Sequence, residues 1–359
     1  MADMETTVSN SPTLDAKRAK VMASWLFTVA GMVLFMVILG GLTRLTHSGL
    51  SITEWKLFTG WIPPMNDADW ATLFAKYQQS PEFHKMNPDM DVNGFKGIFW
   101  LEFIHRVWGR LLGFAFFLPF ALFMMRGWVR VSEALFWKLT GLFVLGGMQG
   151  VMGWFMVMSG LVDRPDVSQY RLTAHFALAL VIIAALLWVA MSLLNKDAHD
   201  RHHQDAGGLS AAAQGLFALV FITALSGGFV AGLDAGFAYN TFPLMDDALI
   251  PDGLFDYEPW FMAPFEDITT VQFDHRLLAE ATFVLVMLFW FKTRGRHLHP
   301  RTRHAVNALG VVAWGQVLLG IFTLLWVVPV SLASLHQTGA VVLMSAALWC
   351  AHELRAPKA

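Results

Sequence analysis

"LEFIHRVWGRLLGFAFFLPFALFMM", residues 101–125, is apolar for most of its length, yet it opens with Glu102, His105, Arg106 and Arg110. The run is longer than the roughly 20 apolar residues that cross a hydrocarbon core. Ionisable groups inside such a span are costly, and they are functional candidates by default. A second stretch, "VQFDHRLLAE" at 271–280, echoes it with His275 and Arg276. The pair raises two questions. Why does His-Arg occur twice inside apolar runs, and why does only the first copy have a carboxylate three residues ahead of the histidine?

The rest of the chain has the same character. Its 359 residues are 56% hydrophobic and only 14% charged, with a mean hydropathy of +0.50. Soluble domains carry about 25% charged residues. Eight membrane spans are expected, at 21–43, 96–125, 135–158, 171–194, 211–233, 271–291, 304–326 and 331–352. The net charge of -2 points to no class of partner, and nothing suggests nucleic acid. Cys350 is the single cysteine, so no intramolecular disulfide forms. The first twenty residues hold Asp3, Glu5 and Asp15, too acidic for a transit peptide, and no cleavable signal is expected.

Orientation follows from charge. Fifteen of the 25 Lys and Arg fall on one side of these spans. The connection at 234–270 holds eight acids and no Lys or Arg. The positive-inside rule puts both termini in the cytoplasm and the two long connections outside. The expected location is the cell inner membrane, or the mitochondrial inner membrane in a eukaryote.

The first half also repeats in the second. "GGLTRLTHSGLS" at 40–51 resembles "GGFVAGLDAGFA" at 227–238, and "FIHR" at 103–106 resembles "FDHR" at 273–276. "GMQGVMGWF" at 147–155 resembles "WGQVLLGIF" at 314–322, and "LTAHFALAL" at 172–180 resembles "LASLHQTGA" at 332–340. The expected fold is an all-α polytopic membrane protein, with eight transmembrane helices in two pseudo-symmetric four-helix bundles. Its parts are a cytoplasmic tail (1–20), an N-terminal unit (21–195), a cytoplasmic linker (196–210), a C-terminal unit (211–352) and a second tail (353–359). Such repeats occur in transporters too, so duplication alone does not choose a function.

Each unit places one histidine near the start of its second span and one near the start of its fourth. These are His105 and His175, then His275 and His336. One membrane histidine is ordinary hydrogen-bonding glue between helices. Two symmetric pairs suit bis-imidazole ligation of haem iron inside a bundle. Zinc usually takes four ligands, or three plus water, and neither pair has such company. A small residue follows each histidine by one turn: Gly109, Ala179, Ala279 and Ala340. On the shared face they leave room for a flat ring. Arg106, Arg110, Arg171 and Arg276 lie near the outer ends of their spans, as Arg44 does. There they are candidate partners for haem propionates, against the plainer reading of snorkelling to the interface.

These stretches resemble the heme A synthase family of bacteria and mitochondria. The resemblance is carried by "GGLTRLTHSGLSITEWK", "GWIPP", "FKGIFWLEFIHRVWGR", "GMQGVMGW", "YRLTAHF", "GLDAGFAYNTFPLM", "FDHRL" and "LHQTGA", in order, from about residue 25 to 345. It implies an oxidoreductase that converts the C8 methyl of heme O to a formyl group through a hydroxymethyl intermediate. The product, heme A, serves cytochrome c oxidase. The chain lacks the outer-loop cysteine pair of many bacterial relatives and looks like the other branch. The resemblance further implies that His275 and His336 ligate a permanent heme b. It puts the substrate haem at His105 and His175, and the functional glutamate at Glu102. Heme O synthase and oxidase assembly factors are the implied partners, beside the lipid bilayer; a homo-oligomer stays open.

Glu102 and His105 stand three apart and share a helix face. The matching position in the second unit is Gln272, by the offset of 170 that aligns the histidines. An electron-transfer site needs no acid or base, whereas oxidation of a methyl group must release protons and stabilise positive charge, which a carboxylate serves. The plain alternative is a structural pair of Glu102 with Arg106. Arg44 and His47 correspond to Ala231 and Asp234, and Gln149 and Gln316 stand in matching mid-span places, read as helix–helix hydrogen-bonding groups. The clusters His199, His202, His203 and His297, His299, His304 are read as solvated. Two other functions explain the four histidines: a two-haem electron carrier and a haem transporter. Neither accounts for the difference between Glu102 and Gln272.

Overall fold

The computed structural model describes residues 16–55, 59–160, 167–195 and 208–355. Residues 1–15 and 356–359 of the expected tails, most of the linker at 196–210, and the cluster of His199, His202 and His203 lie outside them. The described residues form eleven α-helices and no strand beyond one isolated bridge between Met245 and Ala248. They are α1 (Ala16–Leu45), α2 (Asp67–Tyr77), α3 (Pro81–Met86), α4 (Val92–Met125), α5 (Ala134–Gly160), α6 (Gln169–Leu194) and α7 (Leu209–Gly232). After these come α8 (Ala263–Glu266), α9 (Ile268–Arg294), α10 (Pro300–Leu325) and α11 (Val330–Glu353).

Seven of the eight expected spans, α1, α4, α5, α6, α7, α10 and α11, are helices long and apolar enough to cross a membrane. A helix suits the bilayer because it satisfies every backbone group within the segment. The helix at the remaining expected span, α9, is long enough at 27 residues. Asp274, Arg276, Glu280, Lys292 and Arg294 leave it no comparable uncharged stretch.

Local signals set the starts. Asp91 Oδ1 caps α4 by accepting from Gly94 N at 2.8 Å, and Asp267 caps α9 by accepting from Thr270 N at 2.7 Å. Capping oxygens take up amide groups that lack an intrahelical partner. The long connection expected between α1 and α4 folds in part as two helices, α2 and α3, which form a small cap. Trp70 and Tyr77 of the cap pack on Phe95 and Phe99 of α4.

Two apolar cores organise the spans. One joins Met22, Leu26, Phe116, Phe120, Leu139 and Leu186, on α1, α4, α5 and α6. The other joins Leu216, Val220, Val286, Leu309 and Met344, on α7, α9, α10 and α11, and reaches Val37 and Leu180 of the first group. Glycine pairs let the two groups approach. A methyl group on Gly41 would lie 2.6 Å from Gln337 Oε1, and one on Gly228 would lie 2.8 Å from Thr173 Oγ1. Gln337 Nε2 donates across this seam to the Val37 carbonyl at 3.1 Å. At the far end, Arg301 donates to Asn195 Oδ1 at 2.5 Å and lies 3.6 Å from Glu353, tying α6, α10 and α11 together.

Candidate haem sites

Each of the four histidines lies against a glycine of the preceding span. A methyl group on Gly40 would sit 3.7 Å from His105 Cε1, and one on Gly153 would sit 3.5 Å from His175 Cε1. The same construction gives 3.1 Å from Gly227 to His275 and 2.9 Å from Gly320 to His336. A methyl group would force a shift at Gly320 and crowd the ring at Gly227, whereas at Gly40 and Gly153 it would make ordinary van der Waals contact. In the pairs Gly40-Gly41 and Gly227-Gly228 the first glycine faces the histidine of its own group. The second faces the other group, because consecutive helical residues point about 100° apart.

The glutamines expected to hydrogen-bond between helices do so, and they do it at the histidines. Gln316 Nε2 donates to the His336 carbonyl at 3.0 Å and lies 3.1 Å from its Nδ1. Gln149 Nε2 does the same to the His175 carbonyl at 3.1 Å, with a ring nitrogen at 3.3 Å. Gln149 and Gly153, like Gln316 and Gly320, stand four apart, so one face presents both to the ring. The readable signal was the repeated Gln-x-x-x-Gly spacing. Ser226 went unnoticed: its Oγ lies 2.8 Å from His275 Nδ1.

His275 and His336 approach with ring centres 6.4 Å apart and planes at 87°. A metal held at about 2 Å by one nitrogen of each ring would set the centres roughly 6 Å apart. The ring spacing fits a bis-imidazole haem site, with Ser226 Oγ beside His275 Nδ1 and the Gln316 amide beside His336 Nδ1. Among the described residues no cluster of three or more His, Cys, Asp or Glu could hold a metal ion. His105 and His175 interact electrostatically, and among the described residues they form no comparably close ring pair.

Glu102 is 2% exposed. Its Oε2 accepts from Ser51 Oγ and from Ile52 N, each at 2.6 Å. Its Oε1 accepts from Arg106 Nε at 2.8 Å and also pairs with Arg106 Nη2. The guanidinium of Arg106 reaches further, to the carbonyls of Glu54 and Ile52, each at 2.7 Å. Arg276 repeats this hold on the connection between α7 and α9, donating to Tyr239 O at 2.8 Å and to Thr241 O at 2.9 Å. Tyr239 and Thr241 follow Ile52 and Glu54 by 187 residues, the offset that aligns Gly40 with Gly227. Gln272 donates to Tyr239 O at 2.9 Å, but its Oε1 and Arg276 Nε are buried without a partner. The Glu102–Arg106 bond has no counterpart there.

Of the other candidate propionate partners, Arg44 bonds Ala231 O at 2.5 Å and Asp234 Oδ1 at 2.8 Å, joining the C-terminal ends of α1 and α7. Arg110 lies over Trp61 at 5.4 Å and donates to Gly60 O at 3.3 Å. Arg171 lies over Phe155 at 4.8 Å.

The chain matches a family model described as cytochrome oxidase assembly protein, COX15-CtaA, over residues 23–348. It is 52% identical over 336 residues to a heme A synthase of Nitrosospira multiformis, covering 94% of each chain. It is 52% identical over 335 residues to a heme A synthase of Paramagnetospirillum magneticum, covering 93% of each. It is 44% identical over 347 residues to the heme A synthase COX15 of Arabidopsis thaliana, covering 94% of this chain and 75% of that one.

Proposed function

The chain belongs to the COX15-CtaA family, its function is that of a heme A synthase, and we propose that it oxidises the C8 methyl of heme O to a formyl group through a hydroxymethyl intermediate. The observation that carries this reading is the difference between Glu102 and Gln272. Both occupy the same place ahead of a histidine and beside a loop-binding arginine, and only one is an acid.

Oxidation of a methyl carbon removes protons together with electrons. Glu102 serves the substrate half as the negative charge that stabilises positive charge developing on heme O, or as the acceptor of a released proton. From its latched position, proton uptake exchanges a contact with Ser51 or Arg106. Segment 51–54 and the carboxylate therefore act as one unit. His105 and His175 hold the substrate, and His275 and His336 hold heme b, which when bound there relays electrons. Arg110 and Arg171 are proposed for substrate propionates. Arg44, Arg106 and Arg276 could contribute to propionates only by giving up their present carbonyl or carboxylate partners.

The remaining proposals concern architecture. α9 is the eighth span, its charged start lying at the outer interface where Arg276 grips the loop. Residues 21–195 and 211–352 are pseudo-symmetric units, with both termini in the cytoplasm of an inner membrane. Heme O synthase and oxidase assembly factors are the proposed partners. The test is expression with a heme O source, followed by extraction and mass analysis of the haems. Heme A is expected. A haem carrier or transporter would return only unaltered porphyrin.

A further inference from the structure

The four histidines are not held alike. Ser226 Oγ donates to the Thr223 carbonyl at 2.8 Å, so at 2.8 Å from His275 Nδ1 it is placed to accept the ring N–H. That relay fixes the tautomer and leaves Nε2 with its lone pair. Partners of this kind orient a ligating imidazole and raise its basicity. The offset of 187 that aligns Gly40 with Gly227 puts Leu39 in the place of Ser226. Leu39 is 6% exposed and offers no polar side-chain atom. Among the described residues no hydrogen bond to the His105 ring is formed.

The glycine contacts point the same way. Methyl groups on Gly227 and Gly320 would press their rings at 3.1 and 2.9 Å, against 3.7 and 3.5 Å for Gly40 and Gly153. The second half grips both imidazoles more closely. A serine folded onto its own helix carbonyl is ordinary in membrane helices. Here the same oxygen also meets a histidine ring, and its counterpart is a leucine.

We propose that the Ser226/Leu39 difference decides which half keeps its porphyrin: His275 is a tethered, permanent iron ligand, and His105 is the ligand that releases so that substrate enters and product leaves. This rests on the haem reading above. Ser226 is a positioning residue, acting through His275. Release of His105 breaks its bond to iron, with the electron pair staying on the ring nitrogen, and departure of the product then breaks the remaining bond to His175 in the same way.

The test uses the full-length protein, loaded with haem, and the variants Leu39→Ser, Ser226→Ala and Ser226→Thr. Haem loss to excess apomyoglobin is followed optically, and carbon monoxide binding is followed in the reduced protein. The wild type should lose haem in a fast and a slow phase, and carbon monoxide should bind the fast-exchanging haem. Ser226→Ala should speed the slow phase by about 10- to 100-fold, and Ser226→Thr should restore it. Leu39→Ser should slow the fast phase and suppress carbon monoxide binding. Unchanged phases in Leu39→Ser and Ser226→Ala, with wild-type low-spin haem content, would overturn the proposal. A wild-type protein with no low-spin haem in either half would instead sink the haem reading, and this inference with it.

Discussion

Arg276 donates to the carbonyl of Tyr239 at 2.8 Å, and so fastens the connection between α7 and α9 to the start of α9. Arg106 does the same to Ile52 at 2.7 Å in the first half. Hydrogen bonds to charged groups are worth about 1.5–3 kcal/mol each. The ammonium of lysine lacks the planar fork that reaches two carbonyls at once. Arg276→Lys should therefore lower the unfolding temperature and expose 239–246 to protease in the intact protein. Wild-type protection of that segment would show that the fork is dispensable.

Gln272→Glu gives Arg276 Nε an acceptor and removes the donor to the Tyr239 carbonyl, so its net effect on stability should be small. The bond gained and the bond lost are each worth on the order of 1 kcal/mol. Thermal unfolding of variant and wild type checks this, and a large shift in either direction would contradict it.

Gly320→Ala puts a methyl group 2.9 Å from His336 Cε1, so the ring must shift. Overpacking of this kind costs about 1–3 kcal/mol. Gln316→Leu removes the amide that holds the same residue by its carbonyl and ring. Both variants should bind haem more weakly and alter the electron paramagnetic resonance signature of the low-spin haem. Gln149→Leu should act on the substrate half instead, raising KM for heme O while leaving that signature intact.

Burial pushes the Tyr77 phenol up to about 12, with the nearby Glu82 charge adding to the effect. An unfolded tyrosine titrates near pH 10. The folded state therefore favours the neutral phenol. Its contribution is complete below about pH 10 and is lost as pH rises through about 12. The cap of α2 and α3 should loosen over that window. Tyr77→Phe should remove this dependence, as read by tryptophan fluorescence of Trp70. An unchanged profile in that variant would assign the transition elsewhere.

Much of this was legible in the sequence because apolar length is a one-dimensional property. Seven spans appear where hydropathy puts them, within a few residues. α9 is weaker by that measure because it carries five charged residues, of which Arg276 holds a loop. The histidines stood out because imidazole is rare in such runs. The roles of Arg106 and Arg276 were not legible: their carbonyl partners lie 32 to 54 residues away, and backbone acceptors leave no mark in a sequence. Glu102 was expected to pair with Arg106 only as the plain alternative, and it does, together with Ser51 and Ile52. Ser226 was hidden because one serine in a membrane helix is unremarkable until its neighbour is known.

Glu102→Gln tests the central claim most directly, since glutamine can still accept from Ser51 and Ile52 and is already the residue at the matching place in the second half. Haems extracted from cells expressing this variant with a heme O source should contain heme b and heme O but no heme A. Heme A at the wild-type level would show that the carboxylate only fastens the loop.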